Sequence, residues 1–138
     1  RYETSNFARD GKVCLHNLNY WREGHYYGFG ASASGFVGNV RYTNARSIAD
    51  YIAADNIRVE QENESLTEQA REYAMLALRL DEGVDEALFK RRYGKPFSEF
   101  FPAATKLLAD GFLENVSGHI RIPADKAYVA NSILELLL

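Results

Sequence analysis

Apolar and polar residues follow two different patterns in this 138-residue chain, and the pattern changes near residue 60. In the first part, glycines interrupt short apolar runs, which predicts strands and loops. We expect a strand from Tyr2 to Ala8, loop over most of residues 10–30, and a second strand from Phe36 to Tyr42. Gly38-Asn39 falls inside that second strand and predicts a hairpin turn.

A helix and a linker are predicted between these strands and the second half of the chain. Asn44 is a residue type that caps helices, and a helical pattern follows it over about residues 45–54. The larger apolar residues of this helix share one face: Ile48, Tyr51 and Ile52. The segment from Ile57 to Glu64 is polar and acidic, which predicts a linker.

The second half of the chain predicts helices with clear starts and ends. Ser65 followed by Glu68 forms a capping box, and Gly83 marks the end of the helix that begins there. Apolar residues recur in it at helical spacing: Leu66, Ala70, Tyr73, Ala74, Ala77 and Leu78. Asp85 is predicted to cap a short helix that runs to Tyr93.

A third helix, a hairpin and a last helix complete the second half. Gly94 closes the short helix, and Ser98 is predicted to cap a third helix that ends at Gly111. Ser117-Gly118 separates two short alternating runs and predicts a β-hairpin. A last helix is predicted from about Asp125 to the end of the chain.

These patterns together predict an α+β protein with two parts. We expect a strand and loop segment with one helix over residues 1–60, and a mainly helical domain over residues 61–138. The order of the second part, three helices followed by a hairpin and a last helix, is winged-helix-like.

Composition and charge exclude several classes of protein. The chain is 46% hydrophobic, and it has no apolar run near the roughly 18 residues of a membrane span. Its net charge is −3, and residues 65–138 carry nine basic against eleven acidic residues, which argues against nucleic acid as a partner.

The single Cys14 excludes an intrachain disulfide framework and fits a reducing cytoplasm. We expect this cysteine to be a buried small hydrophobe or an unreactive thiol.

The richest candidate for chemistry is the hexapeptide from His16 to Trp21. His16, Asn17, Tyr20 and Trp21 offer a metal-ligating imidazole, an amide, a phenol and an indole, a set suited to a flat ligand such as haem. The alternative is a loop histidine bonded to a backbone carbonyl, with Tyr20 and Trp21 as aromatic core anchors. The residues alone favour this alternative, because aromatic anchors are common and haem sites are rare.

A glycine-rich run over residues 28–35 has two interpretations as well. Glycine lets the backbone approach a ligand closely, so the run is suited to a cofactor pocket. A tight crossover between packed strands explains the same residues, and the sequence alone favours it, since no third glycine and helix follow as in a dinucleotide site.

The H-N-x-x-Y-W motif at residues 16–21 and the segment Tyr2 to Ala8 resemble the C-terminal part of the HemN/HemW family. This family comprises radical SAM proteins that are oxygen-independent coproporphyrinogen III oxidases or haem chaperones. The resemblance covers nearly the whole chain. It implies that His16, Asn17, Tyr20 and Trp21 contact haem, with His16 as a possible iron ligand, as this motif does in the haem-chaperone type.

The resemblance also implies that the strand and loop segment completes a radical SAM barrel. Residues beside the S-adenosylmethionine and substrate pocket would then be Glu3, Ser5, Asn6, Gly28, Gly30 and Ala31. For the first three, satisfying backbone groups at the barrel mouth is an equal alternative. Two positions depart from the family pattern: Ser34 stands where histidine is common, and His25 where an acidic residue is common.

The family resemblance finally implies that the chain is a piece of a longer protein. Its parent would hold a 4Fe-4S cluster and S-adenosylmethionine through a cysteine motif that this sequence lacks, so we expect the fragment to be catalytically inactive. Implied partners are porphyrin or haem and the rest of the parent chain. Strands built to complete a barrel expose edges, which predicts self-association. The competing hypothesis for residues 65–138 is a winged-helix interaction or nucleic-acid-binding module.

Overall fold

The computed structural model of the protein describes residues 1–54 and 58–138. Mixed helices and strands confirm the α+β composition expected from the sequence. Within the described residues, the helices are α1 Leu15–Trp21, α2 Ile48–Ala53, α3 Leu66–Ala77, α4 Glu86–Tyr93, α5 Phe97–Phe100, α6 Ala103–Ala109 and α7 Ala130–Leu137. The strands are β1 Ser34–Val37, β2 Val40–Asn44, β3 Arg58–Asn63, β4 Val84–Asp85, β5 Glu114–Val116 and β6 His119–Arg121. None of the helices in these ranges is long and apolar enough to cross a membrane.

Three strands of the first half form an antiparallel sheet in the order β1-β2-β3. The predicted hairpin is confirmed: Val37 pairs with Val40 across the two-residue turn at Gly38-Asn39. The linker prediction is wrong over residues 58–63, because this polar segment is β3 and pairs along β2. The first residue of the predicted linker, Ile57, lies outside the described residues.

Two other predictions for the first half are wrong. Residues 2–8 do not form a strand, and the pairing there is a single bridge between Glu3 and Leu80. The second helix is shorter than predicted, because Ser47, rather than Asn44, accepts the capping hydrogen bond, from the Asp50 N–H at 3.0 Å. Asn44 instead ends β2, where it is fully buried.

The predicted capping interactions of the second half are confirmed. The Glu68 N–H donates to Ser65 Oγ at 3.3 Å, and the Ser65 N–H donates to Glu68 Oε2 at 2.8 Å. Asp85 Oδ1 accepts from the Leu88 N–H at 2.9 Å at the start of α4. Gly94 closes that helix in the left-handed conformation, with φ at +79°.

The predicted third helix is divided into α5 and α6. Its N-cap is Pro96 rather than Ser98, and the division falls at Phe101, where φ is −118° and ψ is 86°. The residue before a proline is disfavoured in the helical region, so Pro102 ends α5 at Phe100 and then begins α6.

The first of the three helices also ends early, since α3 stops at Ala77 and not at Gly83.

A second antiparallel sheet has the order β4-β6-β5. Its β5–β6 hairpin is as predicted, with Ser117 and Gly118 both at positive φ, the geometry of a tight two-residue turn. The short strand β4 adds to it through the pairing of Val84 with Ile120. The last helix, α7, begins at Ala130 after a 3-10 turn over residues 124–129.

The hydrophobic core belongs mainly to the second half, and an aromatic cluster lies at its centre. Phe89 of α4 is fully buried. Five other rings surround it with centroid separations from 4.7 to 6.2 Å: Tyr73, Tyr93, Phe97, Phe100 and Phe101. Such ring pairs contribute more than their buried area alone, so α3, α4 and α5 are held together chiefly at this point.

Ion pairs join the first half of the chain to the second. Four of them link a residue before position 45 to one after position 70: Arg1–Asp81, Arg22–Glu82, Arg41–Glu72 and Glu23–Arg92. The Arg41–Glu72 pair is bidentate, with both oxygens within 2.6 Å of Nη2. The two halves are therefore held together by charged side chains in addition to the apolar contacts.

Replacing the central ring tests this description of the core. We expect Phe89→Ala to lower the free energy of unfolding by about 3–5 kcal/mol, because it removes a ring packed on all sides and leaves a cavity. Urea unfolding followed by circular dichroism measures the change. Tyr128→Ala removes a ring that is 86% exposed and is the matched control. Equal losses in the two variants would contradict the central role of Phe89.

Candidate functional site

The hexapeptide from His16 to Trp21 lies on helix α1 and not in the loop that its sequence predicts. Leu18 is the buried residue of α1, at 6% exposure. Because Leu18 faces the protein, the opposite face of the helix is exposed to solvent. The loop that follows is held by Asn19, whose Nδ2 donates to the His25 carbonyl at 3.1 Å. A Cβ on Gly24 would lie 2.0 Å from Asn19 Oδ1, so a side chain at this position would displace the Asn19 amide from its hydrogen bond.

His16 and Tyr20 form a pair one helical turn apart on the outward face of α1. Their rings meet edge to face with centroids 5.0 Å apart, and His16 Nε2 lies 3.2 Å from Tyr20 Oη. Tyr20 also packs edge to face on Tyr26, at 4.8 Å. Both His16 and Tyr20 are exposed, so the imidazole is oriented by its neighbour and accessible to a ligand.

Asn17 and Trp21 form the second pair, displaced by one residue along the same helix. Both are half-buried, and the indole Nε1 of Trp21 is buried without a hydrogen-bond partner. At about 100° per residue, the four predicted haem contacts occupy an arc of roughly 140° on two turns of α1. Helix formation therefore brings the four side chains to one side.

Cys14 was expected to be buried or unreactive, and the structure places it on the surface, immediately before α1. A terminal position explains the exposure, because Cys14 precedes the residues whose side chains pack inward. Within residues 1–54 and 58–138, no group of three His, Cys, Asp or Glu side chains is arranged to hold a metal ion. Of the four predicted haem contacts, His16 is the one that carries an imidazole.

Asn44 organises the glycine-rich run from within. Its Nδ2 donates to the carbonyls of Gly28 at 3.1 Å and Gly30 at 3.0 Å. The N–H of Gly28 donates to Tyr42 Oη, and that of Gly30 donates to Tyr51 Oη. A Cβ on Gly28 would lie 2.3 Å from the Ser34 carbonyl, so close backbone packing requires glycine there. The polar groups of Gly28 and Gly30 are thus used inside the protein.

The third predicted group lies at the start of the chain. Glu3 is fully buried, and its carboxylate accepts from the Ser5 N–H at 3.1 Å and from the Asn6 amide. Ser5 and Asn6 are exposed, and Ala31 of the glycine-rich run is half-buried. Glu3 therefore stabilises the turn that follows it, while Gly28, Gly30 and Ala31 lie in a different part of the structure.

Sequence reasoning missed a cluster of carboxylates and guanidinium groups around Glu23. The Glu23 side chain is 10% exposed and pairs with Arg92 at 3.4 Å, and its Oε1 is buried without a partner. Burial raises the pKa of Glu23 to about 7, with Arg92 opposing the shift. Burial also raises the pKa of Glu72, which Arg41 partly offsets. No sequence signal marks this cluster, because its members come from four separate elements.

A solved structure shares the fold of this chain. The structure superposes on that of coproporphyrinogen III oxidase (HemN) from Escherichia coli, a radical SAM enzyme, with a TM-score of 0.64. The match covers 83% of this chain and 28% of the enzyme at 17% sequence identity, which shows the fold alone.

Sequence comparisons identify relatives of this chain. Residues 65–124 match the model of the HemN C-terminal domain. The haem chaperones HemW of Bacillus subtilis and Escherichia coli are 33% and 32% identical to the chain over its full length. The chain spans 38% of the length of each of these relatives. The resemblance to the C-terminal part of HemN/HemW-type proteins is confirmed.

Removing the Asn44 amide tests how the glycine-rich run is held. We expect Asn44→Ala to lower the free energy of unfolding by about 2 kcal/mol, because two partly buried carbonyls lose their donor. Hydrogen exchange should accelerate at residues 28–33 and stay unchanged in α4. Asn115→Ala, which removes an exposed amide of β5, is the control. Unaltered exchange over residues 28–33 would show that the run is held without Asn44.

The raised pKa of Glu23 predicts a pH dependence of stability. The folded protein holds the proton of the Glu23 carboxyl more tightly than the unfolded chain does. The contribution of Glu23 to the free energy of unfolding is therefore most favourable below pH 4.5, the ordinary pKa, and it is lost as the pH rises through about 7. Glu23→Gln should therefore raise the melting temperature at pH 8 by several degrees and change it little at pH 5. Thermal unfolding at both values checks this, with Glu114→Gln in an exposed pair as control.

Proposed function

We propose that this chain is the C-terminal part of a haem-chaperone-type radical SAM protein, and that it contributes the haem-contacting face of its parent. The haem chaperones HemW match it along its whole length. The observation that carries the proposal is the arrangement on α1: His16 is exposed, oriented by Tyr20, and flanked by Asn17 and Trp21.

The chemistry of these side chains fits haem as cargo. An exposed imidazole is a common axial ligand of haem iron, and Tyr20 and Trp21 offer aromatic faces beside it. His16 would act as the ligand, Tyr20 would orient it, and Asn17 would hold the neighbouring loop or a propionate.

The other cofactors are assigned to the remainder of the parent. A 4Fe-4S cluster requires several thiolates, and this chain has one cysteine, so its residues do not fit the cluster. The glycine-rich run fits S-adenosylmethionine poorly, because Gly28 and Gly30 use their polar groups in internal hydrogen bonds. We propose that Glu3, Ser5, Asn6, Gly28, Gly30 and Ala31 shape the end of the barrel rather than bind that cofactor directly.

We propose a finer architecture for the two parts of the chain. Residues 1–60 complete the parent's barrel, and their partner is the rest of that chain in the cytoplasm. Residues 61–138 are winged-helix-like, with β5–β6 as the wing; support comes from the sheet order β4-β6-β5 beside α3, α4 and α6. We also infer that the isolated chain self-associates through the edge of the first sheet at β3.

A haemin titration of this chain tests the haem assignment. We expect saturable binding near one haem per chain, followed at the Soret band, and at least tenfold weaker binding by His16→Ala, because the axial imidazole is lost. Tyr20→Phe should weaken binding less, since it removes the orienting hydroxyl and keeps the ring.

Two control variants separate His16 from other ligands nearby. Cys14→Ser removes the exposed thiol two residues away, and His25→Ala removes an exposed imidazole in the loop after α1. Both should bind haemin as the unaltered chain does. Unchanged affinity in His16→Ala, or a loss in Cys14→Ser equal to that expected for His16→Ala, would refute the assignment.

A further inference from the structure

A cavity of about 370 Å³ lies away from the outward face of α1. It is formed where the loop after α1 and the β1–β2 turn approach α3 and α4. Its polar lining includes Glu23, His25, Gln69 and Arg92, and Phe36 and Leu66 contribute apolar surface. Neither His16 nor the other predicted haem contacts line this cavity, so it is a separate feature of the molecule.

Glu23 is the unsatisfied group of this cavity. Nine-tenths of its side chain is buried, yet its one polar contact among the described residues is Arg92 Nη1, at 3.4 Å from Oε2. The other oxygen, Oε1, is buried and has no hydrogen-bond partner within residues 1–54 and 58–138. The residue also adopts a φ of +57°, a conformation that is uncommon outside glycine. An unpaired buried carboxylate oxygen is costly, and a ligand with an N–H donor would remove that cost.

The charges behind Glu23 determine the sign of such a ligand. Glu64 and Glu72 interact with Glu23, and Arg41 is already engaged by both of them, at 3.3 and 2.5 Å. Arg92 is shared between Glu23 and the face of Tyr73, where its guanidinium lies 5.2 Å from the ring centre.

The cluster therefore has three acidic side chains and two guanidinium groups, of which Glu23 and Arg92 line the cavity. The buried Glu23 Oε1 repels an anion, and once Glu23 is ionised it favours a cation with N–H donors. The nearby uncharged polar groups, Gln69 and the Tyr93 hydroxyl, are engaged with backbone carbonyls.

We propose that this cavity binds an organic cation with N–H donors, a primary ammonium or guanidinium group, and that Glu23 Oε1 is the principal acceptor. A donor at this position completes the hydrogen bonding of Glu23 and balances the charge of the cluster. Leu66 and Phe36 accommodate the apolar part of the ligand. The cation is either a free small amine or the side chain of a lysine or arginine from another polypeptide.

The test uses agmatine, with tetramethylammonium as a probe that has charge but no N–H donor. Carbon-13 spectra of the glutamate carboxyl groups follow binding in the full chain at constant ionic strength. We expect a saturable agmatine-dependent shift of the Glu23 signal, and a pKa of Glu23 that falls below about 7 in its presence. If tetramethylammonium shifts the Glu23 signal as much as agmatine does, the shift reports charge screening alone, and the proposal is overturned.

Two variants and a control locate the site. Glu23→Gln should abolish agmatine binding, read from the remaining glutamate signals, and Glu114→Gln should leave it unchanged. Asn39→Phe places a ring at the cavity rim without altering Glu23, and should weaken binding even if Glu23→Gln perturbs the fold. Full binding by both cavity variants would overturn the proposal.

A last comparison identifies the source of the cation. A short blocked peptide with one arginine should bind at least as tightly as agmatine if the natural ligand is a protein side chain. It should bind at least tenfold more weakly if the natural ligand is a free amine. Binding of neither compound would overturn the proposal, and it would leave the haem assignment at His16 untouched because no residue is shared.

Discussion

Burial of the aromatic rings around Phe89 is the constraint on which the rest of the structure depends. The largest apolar cluster draws its buried members from residues 70–137. Tyr73, Tyr93 and Phe97 come from three successive helices and converge on this one ring. Since hydrophobic burial is the dominant favourable term in folding, the second half has the means to form its own core. The first half attaches to that core.

Charged groups take part in this attachment, so its strength depends on pH. Arg41 reaches across from β2 to Glu72 on α3, and Glu23 reaches from the loop after α1 to Arg92 on α4. Half-buried carboxylates at such a junction lose hydration without gaining complete pairing, which raises their pKa values. Protonation of these carboxylates therefore changes how strongly the two halves are joined.

Local chemistry allowed the second half to be predicted well from the sequence. The capping box at Ser65 and the cap at Asp85 are short-range interactions, and a local pattern is enough to detect them. The split between α5 and α6 was missed because a proline is tolerated in the first turn of a single helix, so Pro102 does not by itself signal a break. Its restriction on Phe101 ends one helix and starts another.

The first half resisted prediction because its elements depend on distant partners. Strand β3 has a polar sequence, typical of a linker, and becomes a strand only by pairing with β2. Helix α1 has seven residues and no side-chain cap, so its sequence lacks the usual start signal. Asn44 has the sequence character of a cap, but its amide is used by the carbonyls of Gly28 and Gly30. The candidate haem residues were found by motif, while their helical arrangement was not.

Helix α1 links the candidate haem face to the cavity at Glu23. Leu18 is the buried residue of this helix, so its orientation depends strongly on the contacts that follow its last turn. Arg22 binds Glu82 with two hydrogen bonds at 2.8 and 2.9 Å, and Glu23 holds Arg92. These two neighbouring ion pairs fasten the end of α1 to the helical half and thereby set the direction in which His16 points. An anchor of this kind explains how seven residues with one buried side chain keep a defined orientation.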